Sequence, residues 1–421
     1  MRPAGLRRVL PAARSGRALT LAQHVERHGA LDAIACRRDR LIEAVATAGL
    51  RGRGGAAFPT AVKLRAVAAG RGRRALVVNG AEGEPMSAKD RVLLELAPHL
   101  VLDGALLAAE AVGAREIVIA VKRSAWSAHE AVSRALAERR DARDVRLETT
   151  PDAYIAGEET ALLRRLNGGP AKPTVVPPRP HERGLGRRPT LVSNVETLAH
   201  VTLIARHGAA WFRELGTPDH PGSALVTLAG AVERPGVHEI ALGTPIAEAI
   251  ARAGGQSAPV RAVLVGGYYG TWLTPEAVAS GSLDDASLRE RSAALGAGVV
   301  VALPAAACPA AEVARVVRWM AEENAGQCGP CVHGLDAIAG ALDRLVDGTA
   351  RPDVVARLER WGGQVQGRGA CHHPNGVVRF LRSALTVFAA ELEDHRRHGP
   401  CDACDRHAVL LLPDTRGRLA A

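Results

Sequence analysis

The chain has 421 residues, enough for two or three domains with separate cores, and its 47% hydrophobic and 23% charged content is that of a globular protein. No run of eighteen apolar residues occurs, which argues against a spanning helix. The net charge of +10 raises nucleic-acid binding, but the arginines are dispersed and no stretch interleaves aromatic with basic residues, so that class is set aside. An acidic protein partner uses the charge more economically, with a merely solvated basic surface as the alternative.

The residues before Glu26, the first acid, are rich in Arg and Ala and faintly resemble an organellar transit peptide. The whole chain shares that composition, so the segment reads as ordinary sequence. Residues 20–50 predict two helices, LTLAQHVERHG and RLIEAVATAGL, closed at Gly49. A glycine-dense loop, GLRGRGGAAFPTAVKL, follows. Strands and helices then alternate: ALVVNG (75–80), a helix over 91–112, EIVIAV (116–121), a helix over 127–140, and VRLETT (145–150). That order is the signature of a parallel sheet with crossover helices. The Pro-rich stretch GGPAKPTVVPPRPHERG interrupts it before NVETLAHVTLIARHG resumes as helix, and TPDHPGS (217–223) reads as a linker.

Beyond the linker the pattern changes. ALVTLAGAVERPGVHEI alternates as two strands around a turn, TPIAEAIARAGG is one short helix, and AVLVGGYYGTWL is a strand pair. Such an order suggests a small β-grasp module. From residue 309 the chain predicts four amphipathic helices, PAAEVARVVRWMAEEN, GLDAIAGALDRLVDG, PDVVARLERWGG and NGVVRFLRSALTVFAAELEDH, hence a bundle, with residues 397–421 as a tail.

GRGGAA (52–57) nominally matches GxGxxA, a dinucleotide fingerprint, but that motif must follow a strand and open a helix. Here a helix precedes it and the first strand begins at Ala75. Consecutive glycines still let backbone approach a ligand and aim N–H groups at phosphate, with a mere tight loop as the competing reading. NGAEGEPMSAKDR (79–91) leaves a strand carrying Glu82, Glu84, Lys89 and Asp90, and AYIAGEETALLRRL (153–166) carries Glu158 and Glu159 at a helix start. The ends of parallel strands are where ligands bind. Carboxylates there can accept from ribityl or ribose hydroxyls; the plain alternative is that they cap helix N-termini, Glu159 in particular. Only four lysines occur, Lys63, Lys89, Lys122 and Lys172, and two lie in these motifs, a hint that a compact cation is needed where arginine is otherwise the default.

With GLRGRGGAAFPTAVK, NGAEGEPMSAKDR, AYIAGEETALL and PTLVSNVETLA together, the sequence resembles the FMN- and NADH-binding flavoprotein subunit of respiratory complex I and the related diaphorase subunits, over roughly residues 20–395. The resemblance implies an α/β fold in this order: N-terminal helices and Gly-rich loop (1–60), a Rossmann-like FMN/NADH-binding domain (61–218), a ubiquitin-like β-grasp domain of SLBB type (222–303), a helical bundle with an iron–sulfur region (304–396), and a tail with CxxC (397–421). It implies that Gly52, Gly54 and Gly55 cradle the FMN phosphate side and that Asn79, Glu82, Tyr154, Gly157, Glu158 and Asn194 contact flavin. Phe58, Lys63, Glu84 and Glu159 would face the nicotinamide nucleotide. Three positions depart from the family pattern: Ala81 where an acid is usual, Arg179 for an aromatic, and Ser193 for an asparagine. The flavin site is thus expected mostly intact, with part of the nucleotide's stacking surface lost.

Five of seven cysteines fall in the last hundred residues, and clustered CxxC in so long a chain points to metal or redox chemistry rather than a disulfide framework. The family places a [4Fe–4S] cluster on Cys-x-x-Cys-x-x-Cys plus a fourth cysteine about 40 residues on. Here Ala325 takes the first position, and Cys328, Cys331 and Cys371 the other three. Four readings stay open: a cluster with Asn324, His372, His373 or solvent as fourth ligand; a three-iron cluster; zinc; or an empty relic. A helix from about Asn375 to His395, roughly 30 Å long, should carry Cys401 and Cys404 away from Cys371. CDAC (401–404) is a redox pair, half of a shared metal site, or two inert thiols.

The expected function is an FMN-dependent NADH dehydrogenase of diaphorase type: hydride passes from NADH to flavin, and electrons leave singly, directly or through the cluster, to a partner. The partner would be a ferredoxin-like acceptor or a membrane-bound reductase, in a hetero-oligomer, cytoplasmic or peripheral to a membrane. The rival is a non-catalytic or zinc-stabilised assembly subunit.

Overall fold

The computed structural model describes residues 6–11, 18–31 and 38–413. Much of the segment that resembles a transit peptide, and Cys36, lie outside the described residues. Helices α1 (Leu21–His28), α2 (Arg38–Ala48) and α3 (Thr60–Ala68) precede the first strand, β1 (Arg74–Gly80). Then come α4 (Lys89–Leu96), α5 (Pro98–Val112), β2 (Ala114–Lys122), α6 (Trp126–Ala137), β3 (Val145–Thr150), α7 (Glu159–Leu166), β4 (Thr190–Asn194) and α8 (Val195–Arg213). All pairings in the sheet are parallel, in the order β3-β2-β1-β4.

Two differences from the sequence reading matter here. The helix expected over 91–112 is two helices bent by 97°, because Pro98 lacks the N–H that would continue α4 and instead opens α5. More important, TLVSN forms β4, a strand the sequence reading did not assign. Successive strands run outward from β1 through β2 to β3, and the chain then crosses to the other side of β1. That reversal makes the crevice beyond the carboxyl ends of β1 and β4 a topological switch point.

A second sheet contains β5 (Ser223–Gly230), β6 (Gly236–Ala241), β7 (Val260–Val265), β8 (Thr271–Leu273) and β9 (Val299–Pro304), in the order β6-β5-β9-β7-β8. The last strand inserts at the centre, parallel to β5 and antiparallel to β7, and α9 (Ile246–Arg252), α10 (Pro275–Ala279) and α11 (Asp285–Glu290) complete this β-grasp unit. The bundle comprises α12 (Pro309–Glu322), α13 (Asp336–Val346), α14 (Val354–Val365), α15 (His373–Val387) and α16 (Ala389–His398). The single helix expected over 375–395 is broken at Phe388, which leaves the helical region with φ −111° and ψ 27° and buries its ring against Trp272. The bundle core continues into the first domain: Met86, Tyr154 and Ile155 pack in the same apolar cluster as Trp319, Met320 and Cys331. Among the described residues, no single helix is long and apolar enough to cross a membrane.

Candidate functional site: a backbone cradle and three thiols

The loop between α2 and α3 follows a helix, as the sequence predicts, and closes on itself: Arg51 bridges Pro59, and the Gly52 N–H donates to the Phe58 carbonyl at 2.9 Å. Arg53 fixes the loop from inside. Its N–H donates to Thr197 Oγ1 at 2.9 Å, and its buried guanidinium reaches the Ser223 carbonyl at 3.1 Å. The next residues turn outward. Among the described residues, none accepts from the N–H groups of Gly54, Gly55 or Ala56, and all three are exposed. A Cβ on Gly54 would stand 3.2 Å from Cβ of Asn194, at the end of β4, and Gly55 holds φ +106°, which side chains resist. Free amides are therefore presented beside the switch point, the arrangement that binds phosphate.

Asn79 and Asn194 are register partners at the ends of β1 and β4. Neither side chain is idle. Asn79 donates to the Gly157 carbonyl at 2.8 Å and accepts from the Ala81 N–H at 3.1 Å; Asn194 caps α8 through the N–H groups of Glu196 and Thr197 and donates to Asp90 at 2.6 Å. The loops after β1 and β3 meet backbone to backbone. A Cβ on Gly83 would lie 2.3 Å from the Tyr154 carbonyl oxygen, and one on Gly157 would lie 2.2 Å from that of Ala81, so only glycine permits this contact.

The acids divide into three roles. Glu82 accepts from Ser87 and from the Asp90 and Arg91 N–H groups at the start of α4. Glu158, not Glu159, is the helix cap: it accepts from the Thr160 and Ala161 N–H groups at 3.0 and 2.9 Å, where its charge also suits the helix dipole. Glu159 is free to pair with Lys63 at 2.7 Å, both half-exposed, and Phe58, on the loop before α3, exposes its ring. Glu84, expected to face the nucleotide, is buried. It accepts from the Tyr268 N–H at 2.7 Å, the Met86 N–H at 3.2 Å and the Tyr154 hydroxyl at 3.2 Å, and burial pushes its carboxyl up to about 7 against those donors.

Lys89 is buried too, with its ammonium 2.6 Å from Asp90 and 3.0 Å from Glu196. Burial opposes ionisation of Glu196, yet Lys89, with His200 and Arg53 beside it, brings that carboxyl down to about 2. A point charge serves two carboxylates here where a planar guanidinium would need more room. The sequence analysis does not single out Arg53 or this ion network; an arginine set among glycines is the available signal for the first.

Tyr154 links the cradle to the thiols. Its ring packs against Tyr269 (centroids 4.9 Å apart), Trp319 (5.5 Å) and His373 (6.0 Å), and its N–H donates to Glu323 at 2.6 Å. Cys328 and Cys331 lie between α12 and α13, with a π-helical turn over Pro330–Leu335, and Cys371 lies just before α15. Among the described residues, the three sulfurs are not all within 4.8 Å of one another, so they do not close on a single point.

Ala325, at the missing position, is buried. Of the candidate replacements, His373 has both ring nitrogens engaged, Nδ1 with the Tyr269 hydroxyl at 2.7 Å and Nε2 with the Met320 carbonyl at 2.8 Å. Asn324 is spent on the Ala321 carbonyl and the Gly326 N–H. His372 is exposed and stays available, as does solvent.

Sequence comparison now supplies the family. Residues 45–203 match the Nuo51 FMN-binding domain, 225–266 the SLBB domain, and 311–395 the NADH-ubiquinone oxidoreductase-F iron–sulfur binding region. The NADH-quinone oxidoreductase F subunit 2 of Rhizobium meliloti (strain 1021) is 33% identical over 380 residues, covering 86% of this chain and 90% of that protein. The chain belongs to the family of NADH-quinone oxidoreductase F subunits. The member from Rhodobacter capsulatus is 32% identical over 376 residues, 85% of this chain and 87% of its own length. A chain of an NAD+-reducing [NiFe]-hydrogenase in the H2-reduced state superposes with a TM-score of 0.79 at 33% identity, over 92% of this chain and 68% of that one. The protein is accordingly a flavoprotein electron-transfer subunit of the NADH-oxidising, FMN-dependent type, with a 4Fe–4S binding region. By their names, the Rhizobium and Rhodobacter relatives are each one subunit of a larger oxidoreductase.

Proposed function

We infer that the exposed amides of Gly54, Gly55 and Ala56 hold the phosphate of FMN at the β1/β4 switch point, with Asn79, Tyr154, Gly157 and Asn194 shaping the floor. The single observation that carries this reading is an exposed glycine turn, with no acceptor for the N–H groups of Gly54, Gly55 and Ala56 among the described residues, packed by Gly54 against Asn194 at the end of β4. Bound there, FMN supplies acceptance of a hydride from NADH and release of two electrons one at a time. Phe58, Lys63 and Glu159 form the open rim toward the nucleotide: the ring offers a stacking face, and the ion pair offers a donor and an acceptor. Gly52 contributes by closing the loop rather than by donating outward. Glu82, Glu84 and Glu158 act from behind: Glu82 fixes the start of α4, Glu84 joins the Tyr154 hydroxyl to the Tyr268 backbone, and Glu158 caps α7.

Cys328, Cys331 and Cys371 hold an iron–sulfur cluster whose fourth position is taken by His372 or solvent, and the Tyr154–Tyr269 contact spans the space between cradle and cluster. Electrons pass to an acceptor protein with an acidic face, ferredoxin-like or part of a membrane-bound reductase, so that the chain works in the cytoplasm at a membrane only through its partners. The +10 charge supports that pairing.

The test is reconstitution of purified protein with FMN under argon. Wild type should quench the flavin's emission and its absorption should bleach on adding NADH. Gly55→Val should retain less than about a tenth of the flavin, with unchanged circular dichroism, because a β-branched residue resists φ +106°. Full flavin retention by that variant would remove the cradle from the site.

A further inference from the structure

At the far end of α12 from the three thiols, the tail folds back. Cys401 and Cys404 meet Cys308, the N-cap of α12, and His395, in the last turn of α16. The four ligand atoms all lie within 4.8 Å of one another. The separations are 3.7 Å for Cys401 Sγ to Cys404 Sγ, 3.6 Å for Cys404 Sγ to Cys308 Sγ, and 3.3 Å from His395 Nε2 to the sulfurs of both Cys308 and Cys404. We propose that these four residues bind one zinc ion in a closed structural site that anchors the C-terminal strap of this chain.

Tetrahedral zinc with Zn–S near 2.3 Å and Zn–N near 2.0 Å requires sulfur–sulfur edges of about 3.8 Å and nitrogen–sulfur edges of about 3.5 Å. The four separations just given are within a few tenths of an ångström of these edges, and the remaining two, from Cys401 to Cys308 and His395, are below 4.8 Å. The same spacing is too tight to surround a cubane. It is also far from a disulfide, whose sulfurs stand about 2.05 Å apart, and a Cys401–Cys404 bridge would leave the third thiol and the imidazole without a role. The surroundings are those of a ligand set. His395 Nδ1 faces the Glu391 carbonyl at 2.8 Å, which holds the proton on that nitrogen and turns the Nε2 lone pair to the centre. Cys308 sulfur accepts from the Ala311 N–H at 3.3 Å at the start of α12, which fixes the direction of the sulfur. Thiolate and imidazole donors in a tetrahedron select zinc among common divalent ions, and four protein ligands leave no open position for catalysis.

The consequence reaches the flavin domain. Beyond Cys404, Val409 and Leu410 donate their N–H groups to Glu312 at 2.7 and 3.1 Å, Arg315 holds the Leu410 carbonyl at 3.0 Å, and the Leu410 side chain is fully buried. The Leu411 carbonyl accepts from the Tyr268 hydroxyl at 2.6 Å, and its N–H faces Met86 sulfur at 3.1 Å. Met86 and Tyr268 are the backbone donors to Glu84. One strap, knotted by metal at one end, thus ties the bundle, the β-grasp unit and the loop after β1.

The experiment is metal analysis of the full-length protein, made with iron and zinc both supplied, beside the Cys401→Ser/Cys404→Ser and Cys328→Ser variants. Wild type is expected to hold one zinc per chain. The double variant should lose at least nine-tenths of it with iron unchanged, and Cys328→Ser should lose iron with zinc unchanged. Cobalt exchanged into wild type should show the intense visible bands of a tetrahedral thiolate site, a readout that needs no variant to fold. Hydrogen exchange at Leu410 and Leu411 should rise at least tenfold when the zinc is chelated. Zinc well below one per chain in wild type, zinc retained by the double variant, iron in place of zinc at this site, or a Cys401–Cys404 disulfide after anaerobic isolation would each overturn the proposal. Flavin binding is independent of all four outcomes.

Discussion

The two ends of α12 are built from the same parts to different effect. Each has cysteines, and each has a buried carboxylate that takes the backbone of a distant segment: Glu312 holds Val409 and Leu410, and Glu323 holds Tyr154. Fourteen residues at 1.5 Å each make α12 about 21 Å long, so the two ends of the helix stand that far apart. At the N-terminal end the sulfurs converge within 4.8 Å with a histidine; at the other they stay wider, beside an aromatic contact to the flavin domain. Convergence of sulfurs and imidazole, rather than the CxxC pattern that both ends share, is what marks the N-terminal end as a site for one ion.

The largest effect expected is all or none. Cys371→Ser should abolish the iron–sulfur absorption and leave zinc at one per chain, as read by elemental analysis. Parallel loss of both metals would mean that the two ends are not independent.

Next is pH. The Glu84 carboxyl is raised from 4.5 to about 7 by burial, so the folded state binds its proton more tightly than the unfolded chain. Its contribution to stability is complete below about pH 4.5 and is lost as pH rises through about 7, a difference of about 3 kcal/mol. Glu84→Gln should flatten that slope relative to wild type in urea unfolding at pH 4.5 and pH 8. Equal slopes would show that Glu84 is solvated and that the strap does not seal it.

Glu323→Ala leaves the Tyr154 N–H buried without this acceptor and should cost about 2 kcal/mol. Glu312→Ala, which strips the strap of its two N–H acceptors, should cost about the same. A cost confined to one variant in thermal unfolding would break the likeness of the two ends. The smallest effect is Tyr269→Phe, about 1 kcal/mol for the lost hydroxyl bond to His373, with iron content unchanged. A changed iron signal would show His373 Nδ1 turning to the cluster once released.

Much of this was legible in the sequence. The alternation from Ala75 to Thr150 gave the parallel sheet because strand and helix periods are local properties, and VRLETT appears as β3 residue for residue. The two helix predictions that ran too long failed at Pro98 and Phe388. The first break was written in the sequence. The second comes from burial of a ring against Trp272, a partner more than a hundred residues away. The departure of the tail from Cys371 was foreseen from helix length; where it goes was not, since Cys308 carries no pattern of its own.

The sequence by itself determined the order of the elements, the glycines that let the loops after β1 and β3 touch, and three thiols at cluster spacing, all of which follow from covalent neighbours and backbone freedom. Tertiary structure alone decided which acids became caps and which stayed open, that β4 lies beside β1 to form the crevice, and that Cys308, His395, Cys401 and Cys404 share one centre. A side chain's partner across ninety residues is chosen by how whole elements pack, and no local period encodes that choice.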